Sequence, residues 1–205
     1  KEQHANTPVV CYVNTSAEVK AESDVCCTSS NALKIVKNLD TDKILFIPDR
    51  NLGDYVSKQI PEKEIISYNG FCITHNRIKL EEIDLVRSEY PEALILAHPE
   101  CDPTVVDRAD FVGSTSQIIN YVKESNDKIF VIATEMGVMH KIENDNKDTD
   151  KKFYMLSQSL ICPNMKKNTL EDIYNVLKEE SNEINVDEEI RVKAIKSLDR
   201  MLELS

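Results

Sequence analysis

Two short stretches decide the fold: Val10-Cys11-Tyr12-Val13-Asn14 and Leu96-Ala97-His98-Pro99-Glu100. Each is a brief run that turns polar at its end, the pattern of a buried parallel strand giving way to a loop. Laid over one another at an offset of 86, they carry the neighbouring sequence into register. Val19 falls on Val105, Asp24 on Asp110, Thr28-Ser29-Ser30-Asn31 on Ser114-Thr115-Ser116-Gln117, and Val36-Lys37 on Val122-Lys123. With one residue of slip, Asp42-Lys43-Ile44 meets Asp127-Lys128-Ile129; further on, Asn51-Leu52-Gly53 meets Glu135-Met136-Gly137. Each repeat, roughly ninety residues long, closes on a cysteine, Cys72 in the first and Cys162 in the second; a duplicated βα unit is the economical reading.

Outward from these stretches, short apolar runs alternate with helical periodicity. The strand candidates are Pro8–Val13, Asp24–Cys27, Ile44–Ile47, Ile65–Tyr68, Leu94–His98, Phe111–Gly113, Ile129–Ala133 and Phe153–Leu156. Helical patterns occupy Ala17–Glu22, Ala32–Leu39, Asp54–Gln59, Leu80–Glu89, Thr104–Arg108 and Ser116–Glu124. This alternation predicts an α/β fold of tandem three-layer αβα domains, with short parallel sheets related by internal pseudo-symmetry. The expected division is residues 1–75, 76–165 and a C-terminal part, 166–205. That last part carries two amphipathic helices, Leu170–Glu179 behind a Thr169/Asp172 cap and Asp187–Leu204. They are expected to pack back on the body or on a domain preceding Lys1.

A net charge of −11 over 205 residues argues against sequence-independent nucleic-acid binding, which needs a basic face. Local donors can still hold small anions. Apolar runs such as Ala93–Ala97 and Ile129–Ala133 are far too short to span a membrane. The chain starts at Lys1 and enters a strand-like run at Pro8, so it reads as a piece of a longer protein, expected in the cytoplasm. None of the six cysteines, Cys11, Cys26, Cys27, Cys72, Cys101 and Cys162, forms a CxxC pair, so a zinc ribbon is not indicated.

The strand ends carry the candidate chemistry. Tyr12 with Asn14, and His98 with Glu100, occupy equivalent positions at the C-terminal edge of a parallel strand, where α/β sheets bind ligands. His98 and Glu100 could supply an acid/base group with a carboxylate partner, or be ordinary hydrogen-bonded loop residues. The hydroxyl runs containing Ser29 and Ser114-Thr115 open helices, where they can bind phosphate or carboxylate or act as caps. His75 and His140 are weaker candidates for ligands or bases, and His4, in a polar start expected to fray, is expected to be exposed to solvent. The four glycines, Gly53, Gly70, Gly113 and Gly137, suit tight turns or close backbone approach, with no GxGxxG or P-loop pattern.

Read together, Cys11-Tyr12-Val13-Asn14-Thr15-Ser16-Ala17-Glu18, Cys27-Thr28-Ser29-Ser30-Asn31-Ala32, Pro48-Asp49-Arg50-Asn51-Leu52-Gly53 and Gly70-Phe71-Cys72 with His75 resemble quinolinate synthases. So do His98-Pro99-Glu100-Cys101, Ala109-Asp110-Phe111-Val112-Gly113-Ser114-Thr115-Ser116, Thr134-Glu135-Met136-Gly137 and Cys162-Pro163-Asn164-Met165-Lys166. The resemblance implies three similar domains, each giving one cysteine to a [4Fe–4S] cluster. Cys72 and Cys162 would then be two ligands, and the third would lie upstream of Lys1. It implies condensation of iminoaspartate with dihydroxyacetone phosphate to quinolinate, losing phosphate and two waters, in NAD biosynthesis. It further implies Tyr12 and Asn14 as substrate contacts near the cluster, Tyr12 also serving catalysis. Ser29, Ser114 and Thr115 would bind carboxylate or phosphate, and His98 and Glu100 would bind substrate and move protons. An L-aspartate oxidase or dehydrogenase would supply the iminoaspartate. Without the first domain the chain is expected to be inactive. An aconitase-type hydro-lyase and a non-catalytic tandem anion-binding module are the competing readings.

Overall fold

The computed structural model describes residues 1–205, and its strands fall into two four-stranded, wholly parallel sheets. The first contains β1 (Val9–Tyr12), β2 (Val25–Cys27), β3 (Lys43–Ile47) and β4 (Glu64–Ser67) in the order β2-β1-β3-β4. The second contains β5 (Leu94–Ala97), β6 (Phe111–Val112), β7 (Ile129–Ala133) and β8 (Lys152–Met155) in the order β6-β5-β7-β8. All eight expected strands are present, and the two sheets have the same topology.

Helices alternate with the strands: α1 (Ala17–Ala21), α2 (Ala32–Asn38) and α3 (Arg50–Gln59), then α4 (Leu80–Glu89), α5 (Pro103–Val106), α6 (Thr115–Glu124) and α7 (Gly137–Asp145). Two more follow, α8 (Leu170–Glu179) and α9 (Glu188–Leu204). Two differ from expectation. The α3 helix begins at Arg50 rather than Asp54, because Asp49 caps it by accepting the Leu52 N–H at 2.8 Å. The α7 helix was not anticipated; only Val138 and Ile142, one turn apart, face inward, too few for a clear periodic signal.

Strand alternation sends side chains to two layers. In the second sheet, Ile95, Ala97, Val131 and Ala133 face Ile83 of α4 and Val105 of α5. Leu96, Phe130 and Ile132 face Ile118, Val122, Val138 and Ile142 of α6 and α7. In the first sheet, Val10, Val25, Ile44 and Phe46 pack on Ile35, Val36, Leu52 and Val56 of α2 and α3. The opposite face carries the buried Cys11 and Cys26 and is covered by α9, on which α1 packs; the Cys26 thiol meets the Ser197 hydroxyl at 3.3 Å. The α8 helix has no buried residue.

The duplication extends to individual hydrogen bonds. Asp24 takes the Val9 N–H at 2.7 Å and Asp110 takes the Ile95 N–H at 2.7 Å. Lys63 reaches the carbonyls of Val36 and Leu39 at the end of α2, and Lys151 reaches that of Val122 at the end of α6. Register corrects one part of the sequence alignment. Val9 pairs with Leu45 and Ile95 with Val131, so the offset of 86 runs unbroken through β3 and β7, with no slip at Asp42. Asp49, not Asn51, is therefore the counterpart of Glu135. The additional residues of the second repeat lie after these strands, in loops.

Phe130 is fully buried between its sheet and the α6 and α7 layer. Truncating it to alanine should cost roughly 3–5 kcal/mol, measurable as a lowered urea midpoint with an unchanged slope.

Candidate active site between the two sheets

The C-terminal ends of both sheets open into one cavity of about 1050 Å³. Tyr12, Asn14, Cys72 and His75 enter from the first repeat; His98, Glu100, Thr115, Thr134, Glu135 and Cys162 enter from the second. Of the residues singled out from sequence, this brings together Tyr12, Asn14, His98, Glu100, Thr115, both closing cysteines and the weaker candidate His75. Ser29 and Ser114 are not in its wall. Ser29 lies beside the Tyr12 phenol. Ser114 caps α6, accepting the Gln117 N–H at 3.4 Å while the Gln117 side chain takes the Ser114 N–H at 2.7 Å. His140 is exposed on α7, outside the wall. Cys72 and Cys162 are half-buried, whereas the other four cysteines are fully buried.

At the centre is a buried charged cluster. Glu100 is 5% exposed, His98 3% and His75 6%, so water cannot screen them. His75 stacks on His98 with ring centroids 4.6 Å apart. Its Nδ1 lies 2.8 Å from Glu100 Oε2, but off the line of a well-formed hydrogen bond; the contact is therefore chiefly electrostatic. Its Nε2 meets the Thr134 hydroxyl at 3.0 Å. Burial works against charge on His75, yet the Cys72 thiol and Glu100 outweigh it and lift the imidazole to about 9. Burial, then the neighbouring His75, holds His98 down at about 4. For Glu100 burial pushes upward, but His75, His98 and Tyr12 prevail, and the carboxyl lies below its ordinary value. Burial and the Glu100 charge push the Tyr12 phenol far above its ordinary range. One ionised carboxylate, one cationic imidazole and one neutral imidazole thus face the same space.

Each closing cysteine is held in the same way. Asp49 Oδ2 accepts the Cys72 N–H at 2.8 Å, and Glu135 Oε1 accepts the Cys162 N–H at 3.3 Å. The residue after each acid donates its N–H to the carbonyl two places before the cysteine: Arg50 to Gly70 and Met136 to Leu160, both at 2.8 Å. Gly70 is needed here, because a Cβ would lie 2.4 Å from the Pro48 carbonyl oxygen. Burial raises Asp49 to about 6. For Glu135 burial acts upward too, but the N–H groups of Gly137 and Cys162 and the Lys166 ammonium bring it below its ordinary value. The Cys162 thiol is lowered by the backbone N–H groups of Met165 and Asn164, a small nest that favours thiolate.

Asp49, Thr134 and Glu135 stand in the motifs quoted above, but no site role was read for them there, nor the central place of His75. The signal was available, since Asp49 and Glu135 follow β3 and β7 at the same sheet edges as Tyr12 and His98.

The family model described as quinolinate synthetase A protein (NadA) matches residues 1–203. The quinolinate synthase of Alkaliphilus metalliredigens is 60% identical over 204 residues, covering 100% of this chain and 67% of that protein. Those of Caldicellulosiruptor saccharolyticus and Clostridium kluyveri are 54% and 52% identical, again with 100% of this chain and 67% of the relative covered.

Asp49→Ala should destabilise the chain by about 1–3 kcal/mol, because the buried N–H groups of Leu52 and Cys72 lose their acceptor. Asp49→Asn, which keeps an oxygen in place, should cost clearly less in the same urea titration.

Proposed function

Because the chain belongs to the quinolinate synthase family, we propose that it supplies two of three cysteine ligands to a [4Fe–4S] cluster, Cys72 and Cys162, and much of the substrate site. The third ligand then comes from the part of the relatives' length that this chain does not span. One observation carries the reading: two half-buried thiols from equivalent places in a duplicated fold line one cavity with a buried His–Glu–His cluster. The donor set suits the group, since thiolates are the usual holders of iron–sulfur clusters and each cysteine is braced by a buried acid.

The reaction is condensation of iminoaspartate with dihydroxyacetone phosphate to quinolinate, releasing phosphate and two waters, in the cytoplasm, with an L-aspartate oxidase or dehydrogenase as the source of iminoaspartate. When bound, the cluster supplies a Lewis-acidic iron that eases departure of water. Asn14, Tyr12 and Thr115 orient the substrate carboxylates, with Ser29 behind Tyr12 and Ser114 fixing the start of α6. Lys141 and Lys166, paired with Asp145 and Glu135, and the N-terminal ends of α6 and α7 are the donors this part of an acidic protein offers to an anionic substrate. Glu100 is the base for the carbon-bound protons, and the cationic His75 is the donor to departing oxygens. His98, neutral when buried, accepts a hydrogen bond or relays a proton.

In a chain extended to the relatives' full length, Glu100→Gln should retain iron and lower kcat by about 10²–10⁴-fold. Cys72→Ala should lose the iron. Retained iron with only lower stability would favour an anion-binding module in which the cysteines are structural. The 205-residue chain alone, reconstituted anaerobically with iron and sulfide, should give no stable cubane absorption or EPR signature; a complete cluster in it would overturn the missing-ligand reading.

A further inference from the structure

The donor atoms of Cys72, His75 and Glu100 all lie within 4.8 Å of one another. Their arrangement poses a bonding question. His75 Nε2 and the Thr134 hydroxyl are 3.0 Å apart; a cation that displaces the Nδ1 proton leaves the ring donating to Thr134 and turns Nδ1 into a ligand lone pair. Nδ1 is buried, has no aligned hydrogen-bond partner, and lies 2.8 Å from a Glu100 carboxylate oxygen, with the Cys72 sulfur in the same close group. An imidazole nitrogen, a thiolate and a carboxylate held this close on buried side chains need a proton or a cation among them.

We propose that Cys72, His75 and Glu100 form a mononuclear site for one divalent cation of the zinc class, with its fourth position open to the cavity, in protein that carries no cluster. The donor set is one thiolate, one imidazole nitrogen and one carboxylate oxygen, the three-ligand pattern of open zinc sites. Two anionic ligands neutralise a dication, so the buried assembly carries no net charge. Donors about 2.0–2.3 Å from a tetrahedral ion stand roughly 3.3–3.8 Å apart, a distance that side-chain rotation reaches from the present spacing. Each ligand is already braced. Thr134 fixes the His75 ring, Asp49 holds the Cys72 backbone, and Asn51 donates to the Glu100 carbonyl at 3.0 Å. Cys162, the other closing cysteine, is outside the triad. The site therefore differs from the cluster in composition while competing with it for Cys72. A thiophilic dication lodged there blocks cluster assembly until it is removed.

The test is anaerobic titration of the iron-free 205-residue chain with Co²⁺, followed by displacement with Zn²⁺. One equivalent should bind, with sulfur-to-cobalt charge transfer and the intense visible bands of a tetrahedral site. Cys72→Ser should abolish the charge transfer, and His75→Ala or His75→Gln should weaken binding at least tenfold. Thr134→Val, which leaves all three ligands in place, should weaken it by about 10–100-fold. Cys162→Ser should leave the spectrum and affinity unchanged, although the same substitution should prevent cluster binding in the extended chain; the two readings can therefore fail separately. Circular dichroism checks that each variant is folded. Binding that needs Cys162, binding that survives both His75 variants in folded protein, or no tetrahedral spectrum at all would overturn the proposal.

Discussion

The charge on Glu100 is the constraint from which the rest of the cavity follows. A carboxylate buried at 5% exposure is tolerable only if opposite charge and hydrogen-bond donors surround it. Its neighbours come from both repeats: His75 and Tyr12 from the first, His98 from the second. Asn51 of the first repeat also donates to its backbone carbonyl. The C-terminal ends of the two sheets therefore have to face one cavity, and the stacking of His75 on His98 is one direct seam between the repeats. Geometry for acid/base chemistry and cohesion between the repeats are here one set of contacts.

Around that asymmetric centre the duplicated parts stay alike. Asp49 and Glu135 hang one closing cysteine each from a buried carboxylate, and the neighbouring backbone bonds are copied as well. The copies differ where they face the cavity. The Tyr12–Asn14 strand end offers a phenol and an amide, while the His98–Glu100 end offers an imidazole and a carboxylate. Duplication thus fixed a frame, and divergence at the strand ends filled it with different chemistry.

Much of this was legible before any coordinates. Parallel strands buried on both faces write themselves as continuous apolar runs, so all eight could be read; Tyr12, His98 and Glu100 followed from position at strand ends. Less legible features depend on tertiary contact. His75 lies in a 3-10 turn and draws its importance from Glu100, His98 and Thr134, all distant in sequence. The α7 helix has too narrow an apolar face to announce itself. The misplaced slip had a similar source. The local likeness of Asp42-Lys43-Ile44 to Asp127-Lys128-Ile129 suggested a gap inside the sheet, whereas length differences were accommodated in loops.

The placement of α9 bears on how the chain is made. In the second repeat the sheet face is covered by α4 and α5, encoded beside it; in the first, the corresponding cover beside α1 is α9, the last helix of the chain. Cys26 and Ser197, in contact across that face, are 171 positions apart. During translation at roughly 5–20 residues per second, α9 follows the first sheet by on the order of ten seconds, and until then that sheet lacks this cover. The second repeat, whose contacts are local, can complete itself within that interval. Within this stretch the ribosome delivers the repeats in one order, and the fold completes their covers in the other.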